Sequence, residues 1–347
     1  MKSSIKALLA AAGVAAFAFA SPANAYEAGY PGWASKPGVL IGASAGVPPP
    51  GIYMFNQVFT YQTNLVGPGT TTLGIGPHNA VAAAVDVQGF LFVPGWTFLG
   101  ATYDAVIVQP WVMFGIGDPL GATPGLANVA AGAHNTYIAP IELSWKLGTS
   151  GFLVKTGLGI YAPIGQIQGP NGLNGIGNPW WTFQPELIFS YLGGGYNLSV
   201  ALYEEFNTAN SRDGYTTGDI FHADFTATKT FGKWTLGPVA YYAGQVTNDK
   251  CAPPGCTSGG LGGFANILGN AQRFNIWAVG GLVEYNFGPA SLSVWATQEV
   301  SATAHSIAPV TAATDTSLIT QGFTVFATLS YRIWAPEEPA KAPMLHK

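Results

Sequence analysis

The sequence predicts an all-β protein, a transmembrane up-and-down antiparallel β-barrel of about 12 strands with short periplasmic turns and long external loops. Three observations lead there. Charged residues make up only 9% of the 347 residues while aromatics reach 13%, against roughly 25% charged in a typical soluble domain. From Pro50 onward polarity alternates with a period of two in about 12 stretches, the pattern of strands with one face on lipid and one on a lumen. The breaks between those stretches alternate short and long, which a soluble sandwich has no reason to do. The 13 Lys plus Arg and 17 Asp plus Glu are too few to cover a soluble surface of this size. A net charge of -4 without a basic run argues against nucleic acid as a partner.

The chain opens with Lys2 and Lys6, an apolar run over 7–20, and "SPANA" with small residues at Ala23 and Ala25. That run is too short for a membrane-spanning helix and reads as an export signal cleaved after Ala25. Residues 26–50, ending in "GVPPPG", are too rich in Gly and Pro for a strand. They form either a periplasmic lead or a plug folded into the barrel. The barrel is expected over 51–334. The Pro-rich tail "APEEPAKAPMLHK" over 335–347 is expected to be disordered on the periplasmic side. No later segment approaches ~20 uninterrupted apolar residues, so strands rather than helices must cross the membrane.

The clearest strand is "WTFQPELIFSY", with Trp181, Phe183, Pro185, Leu187 and Phe189 on one face and Thr182, Gln184, Glu186 and Ser190 on the other. "YNLSVALYEEF" alternates likewise, and "DIFHADFTATKTF" sets Phe221, Ala223 and Phe225 against His222, Asp224 and Thr226. "WTLGPVAYYAG" is apolar on both faces. Short breaks fall at 94–97, 148–151, 193–195, 232–233 and 288–289; long Gly, Pro and Asn-rich ones fall at 64–78, 114–136, 162–179, 207–218, 248–270 and 300–317. An even strand number puts both termini in the periplasm.

Aromatic girdles should mark the two interfaces. Trp96, Phe98, Trp145, Phe152, Tyr191, Tyr196, Phe231, Trp234, Phe287 and Trp334 stand beside the short turns. Tyr61, Trp180, Trp181, Phe206, Tyr241 and Phe274 stand at the other strand ends. Cys251 and Cys256 flank a Pro-Pro-Gly turn in "CAPPGC", and in an exported chain they are expected to close a small disulfide.

The block over 206–249, preceded by "FQPELIFSYL", carries an "FN" pair (Phe206–Asn207), a "Y-x-x-G-D" turn (Tyr215–Asp219), an "H-x-D" strand (His222–Asp224) and a "G-x-x-x-Y-Y" strand (Gly237–Tyr242). In that order they resemble the outer-membrane transporter family named for the meta-cleavage pathway of phenol degradation, and "PPPGIYMFNQVFTY" resembles its first strand. The resemblance implies a channel in the outer membrane of a Gram-negative bacterium for passive uptake of small hydrophobic or aromatic compounds. Its partners would be lipid, those solutes and the outer-membrane assembly machinery.

Alternation directs the candidate pore-lining or substrate-binding residues inward: His222, Asp224, Glu186, Gln184, Glu142, Tyr203, Glu205, Lys155, Glu284, Trp295 and Arg332. Asp86, Asp104, Glu299, Lys146, Tyr161 and Phe326 are read as inward too, since an ionised group on the lipid face at the midplane is costly. Lys229 and Glu204 fall outward, near strand ends where their charges can reach the interface. His222 and Asp224 have three readings: a structural lumen network, a solute contact, or a metal or catalytic site. A metal centre needs three or four convergent ligands and the local sequence offers two, so neither metal nor cofactor is expected. The rival function classes are an outer-membrane lipid or ester hydrolase and a structural or adhesive surface protein. Against the first, no G-x-S-x-G is present and His78, His134, His305 and His346 fall in expected loops or the tail.

Overall fold

A computed structural model describes residues 30, 32–72, 74–117, 129–167, 176–212, 214–250, 272–306, 315 and 317–337. The strands are β1 (Gly51–Val66), β2 (Ala80–Val93), β3 (Thr97–Phe98), β4 (Ala101–Ile116), β5 (Val129–Ala133), β6 (Thr136–Lys146), β7 (Phe152–Ala162), β8 (Thr182–Gly193), β9 (Tyr196–Asn207), β10 (Ile220–Phe231), β11 (Trp234–Gln245), β12 (Gln272–Asn286), β13 (Ala290–Ser306) and β14 (Ile319–Trp334). Each long strand pairs antiparallel with its neighbours in sequence, and β1 pairs with β14 from Ile52↔Trp334 to Val66↔Ile319. That last pairing closes the sheet, leaving no edge unpaired around the circumference.

The closed barrel has twelve strands, because β3 is a two-residue hairpin extension and β5 runs on into β6 as one broken strand. Both β5 and β6 pair with β4, and the break falls at His134–Asn135, where the His134 amide bonds to the Pro110 carbonyl. Pro110 cannot donate to the ladder, which gives the break a local cause. At the opposite end the β8–β9 connection is the pair Gly194–Gly195 at φ 56° and 79°. Two successive positive φ values define the hairpin turn that matches strand twist, and glycine adopts them without strain.

The short turns lie at one end and the long connections at the other, as expected. Several strands run further into the external side than their polarity pattern suggested. β4 continues to Ile116, β5 begins at Val129 and β13 reaches Ser306, all inside stretches expected to be loop. Beyond the membrane neither face needs to be apolar, so the alternation that marks a strand fades while its hydrogen bonds persist.

The girdle beside the short turns is outward and exposed at Trp96, Phe98, Phe152, Tyr196, Phe231, Trp234, Phe287 and Trp334. At the external end Trp181 and Phe206 face outward as expected, joined by Phe183, Trp277 and Phe323. Tyr61, Trp180, Tyr241 and Phe274 do not belong to that girdle: they are buried inside the barrel. Lys229 snorkels as expected, donating to the Gly194 carbonyl at 2.5 Å and sitting 3.8 Å from the Tyr196 ring centre.

Asp86 corrects the inward register predicted for it. On β2 the buried, inward positions are Val81, Val85, Gly89 and Val93, while Asp86 faces outward with Ala84 and bonds Asn56 Nδ2 at 2.6 Å. The midplane cost of a carboxylate is real, but a neighbouring outward amide offsets part of it.

The interior is filled by the chain's own N-terminal part. Tyr30, Trp33, Lys36, Val39, Ile41 and Ala45 are buried or half-buried, and this inner segment bonds to lumen side chains from seven strands. The export signal and the Cys251–Cys256 disulfide lie outside the described residues. Of the expected tail only residues 335–337 are described, and they are irregular and exposed.

Candidate functional site: the lumen and its inner segment

Inward-facing polar residues on β8, β9, β10 and β13 present acceptors to a segment that, lacking regular structure, has backbone amides to donate. Glu205 accepts the Ala34 and Ser35 amides at 3.3 and 3.1 Å. Asp224 accepts Gly38 through Oδ1 and Leu40 through Oδ2, both at 3.0 Å. Thr226 Oγ1 takes the Gly42 amide and Ser190 Oγ the Ala45 amide, each at 2.8 Å. A carboxylate gripping successive amides satisfies donors that would otherwise be orphaned away from water. Gly38 has φ 91°, and a Cβ there would meet the Tyr241 ring at 2.8 Å, so the segment needs glycine where it crosses that ring.

Lys36 is the segment's cation. Its Nζ lies 3.1 Å from Glu299 Oε1 and 2.8 Å from the Tyr241 hydroxyl, and 4.3 and 4.7 Å from the ring centres of Tyr61 and Tyr241. Tyr61 and Tyr241 also donate to Glu299, at 2.8 and 2.6 Å. One ammonium is thus held by one carboxylate and two aromatic faces.

His222 and Asp224 lie against this segment rather than against open lumen space. The imidazole is fully buried, stacked on Tyr203 at 4.5 Å and 9°, and met edge-on by Trp33 at 5.7 Å. Its Nε2 is 3.2 Å from Glu205 Oε1. Trp295 donates to the Gly38 carbonyl at 3.1 Å. Glu284 and Arg332 stand nearer the short turns, where Ser293 bonds Glu284 and Arg332 bonds the Pro50 carbonyl. No group of three or more His, Cys, Asp or Glu in a metal-holding arrangement occurs among the described residues.

On the other side of the inner segment an open cavity of about 720 Å³ remains. One wall is apolar: Phe59, Val81, Val85, Val87, Val106, Val108, Val112 and Phe114 from β1, β2 and β4. The facing side carries Tyr137, Tyr161 and a charged cluster. There Lys155 bonds Asp104 Oδ1 at 2.9 Å and pairs with Glu142, while Glu186 stands beside them and Gln184 reaches Ser35 Oγ at 3.4 Å. Of the residues singled out from sequence, Glu142, Lys155, Glu186 and Gln184 border this space, and His222, Asp224, Tyr203, Glu205 and Trp295 do not. Sequence reasoning missed Lys36 and the apolar wall. A lone lysine in a Gly and Pro-rich lead, and a strand such as β2 whose valines point inward, carried the signals.

At the external end Asp249 clamps two loops. It accepts the Gly218 amide and Gln245 Nε2, each at 2.7 Å, and the Tyr215 hydroxyl at 2.5 Å. Burial pushes its carboxyl up to about 7, with those donors pulling the other way.

The fold is shared with a solved outer-membrane channel. The COG4313 outer membrane channel from Pseudomonas putida F1 superposes with a TM-score of 0.64 at 9% identity, over 83% of this chain and 98% of that one. The β domain of the Bordetella autotransporter Brka reaches 0.41 at 12% identity, over 82% of this chain and 100% of that one. The Pseudomonas putida toluene transporter TodX reaches 0.38 at 10%, over 90% and 98%. No curated protein sequence matches this chain. The model of the family described as "Putative MetA-pathway of phenol degradation" matches residues 59–307, most of the chain and all strands from the middle of β1 into β13, and the protein belongs to that family.

Proposed function

We propose that the protein is an outer-membrane channel through which small hydrophobic or aromatic compounds enter passively, with the inner segment as its plug. The observation that carries this reading is the cavity of about 720 Å³ between that segment and the apolar wall of β1, β2 and β4. A lumen meant for ions or sugars is polar all round, whereas this one offers valines and aromatics along one side, the lining that an apolar ring prefers to water. Family membership and the likeness in fold to the Pseudomonas putida outer membrane channel support the same role. Solutes of this kind cross plain lipid readily, so the test belongs in intact cells, whose lipopolysaccharide is the barrier. Cells expressing the protein should accumulate labelled monoaromatic compounds several-fold faster than cells without it. A Val85→Trp and Val108→Trp double variant, filling the cavity, should abolish the gain. Equal uptake with and without the protein, for every aromatic solute tried, would sink the reading.

A further inference from the structure

The charged cluster beside the cavity is out of balance. Asp104, Glu142 and Glu186 face a single ammonium, Lys155, whose two ion pairs go to Asp104 and Glu142. Asp104 and Glu186 are 0% and 7% exposed, and Asp104 Oδ2 and Glu186 Oε1 are buried without a hydrogen-bond donor among the described residues. Both residues line the cavity. An unpaired buried carboxylate is expensive, so a site holding one either binds protons or awaits a cation.

Two further features say what kind of cation fits. Tyr137 and Tyr161 line the same part of the cavity with their ring centres 4.8 Å apart. Gly157 and Gly159 let these side chains pack down on β7: a Cβ at 157 would meet Glu142 Cγ at 2.9 Å and Glu186 Oε1 at 3.1 Å, and one at 159 would strike the Tyr137 ring. Carboxylate plus two tyrosine faces is the surrounding this chain already gives to an ammonium, its own Lys36 between Glu299, Tyr61 and Tyr241. The cluster at Glu186 sets a carboxylate beside two tyrosines in the same way, with its one resident ammonium, Lys155, ion-paired to Asp104 and Glu142 instead.

We propose that Asp104, Glu186, Tyr137 and Tyr161 form a subsite for the ammonium head of an amine whose apolar body lies along the valine wall. The inference rests on the channel reading and adds a solute class to it, arylalkyl amines in their protonated form. Glu186 supplies the charge, the tyrosine faces supply cation–π attraction, and Lys155 stays paired with Glu142.

Calorimetry on the purified, detergent-solubilised protein would compare benzylammonium with benzyl alcohol and benzoate, three probes of similar size and different charge. Benzylammonium should bind at least tenfold more tightly than benzyl alcohol, and benzoate more weakly than either. In buffers of different ionisation enthalpy, benzylammonium alone should show proton release from the carboxylates. Glu186→Gln keeps the shape and should erase the preference; heat-modifiable gel migration would verify that this variant is folded. Equal affinity for amine and alcohol would overturn the inference, as would a preference that survives Glu186→Gln or the absence of binding by any probe. The uptake of neutral aromatics in cells is measured separately, so those failures leave the channel reading to stand or fall on its own.

Discussion

The strands of this barrel do not all divide their polarity in the same way. From β8 to β10 the arrangement is that of an ordinary outer-membrane barrel: Phe183, Leu187, Phe189, Leu198, Val200 and Phe225 face out, and Gln184, Glu186, Ser190, Glu205, His222 and Asp224 face in. On β2, with Asn56 and Thr60 of the neighbouring β1, the polarity is reversed, although β4 keeps Ile107, Trp111 and Met113 outward and Asp104 inward. Valines and Phe59 point inward, while Asn56, Thr60, Asp86 and Gln88 sit on the outer face with small alanines between them. The difference shows that lumen chemistry and lipid chemistry are separate demands on a strand. Where a strand must offer an apolar surface to a solute, the polar residues that specify its period-two pattern can only go to the other side.

The comparison can be broken at several points. Removing residues 30–50 should have the largest effect, because it empties the lumen beside β8 to β10 of its occupant. Single-channel conductance should rise at least tenfold. Stability should fall far less than the lost bonds suggest, since water entering the lumen rehydrates Glu205, Asp224 and Glu299; melting in detergent measures that part. Asp224→Ala is the finer cut. It takes both anchoring acceptors from Gly38 and Leu40, and orphaned buried amides cost ~1–3 kcal/mol each. Frequent brief openings should appear in planar-bilayer recordings of that variant, and a silent trace like the parent's would show the plug to be held elsewhere.

On β2, Asp86→Leu should stabilise the barrel by about 1 kcal/mol in denaturant titrations from lipid, as it removes a midplane carboxylate. The loss of the Asn56 bond limits the gain. Destabilisation instead would mean that the outer polar face has a protein partner rather than lipid.

The smallest effect is pH dependence at the external clamp. The Asp249 carboxyl sits at about 7 in the folded protein, raised from its ordinary value by burial. A raised folded value means that the clamp's contribution is complete below about pH 4, the ordinary carboxyl range, and is lost as pH rises through about 7. Protease cleavage in 208–219 should therefore quicken between pH 5 and pH 8, and Asp249→Asn should flatten that dependence.

Much of this architecture was legible because lipid imposes a strict rule on one face. Strand number, turn polarity and the inward register of β8, β9 and β10 all follow from alternation and loop length. Asp86 was misread for the same reason: the rule that charges point inward holds for a strand whose lumen face is polar, and the lumen face of β2 is apolar. The roles of His222 and Asp224 were hidden differently. Their facing was readable from the strand, but what they face is a stretch over 150 residues earlier in the chain whose lack of pattern gives no hint of its path. Non-local contact with an irregular segment leaves no period to detect. Lys36 was invisible on those terms, although its charge is what Glu299 requires.

The inner segment joins β1 directly at Pro50–Gly51, and β1 closes the barrel against β14, the last strand made. Glu205, Asp224 and Glu299 therefore find their partners in the stretch that immediately precedes β1, across a seam that cannot shut until β14 is in place. The seam between β1 and β14 thus encloses residues 30–50 with their carboxylate partners. Wall and inner segment therefore share one closure: whatever parts β1 from β14 also frees the space that residues 30–50 fill.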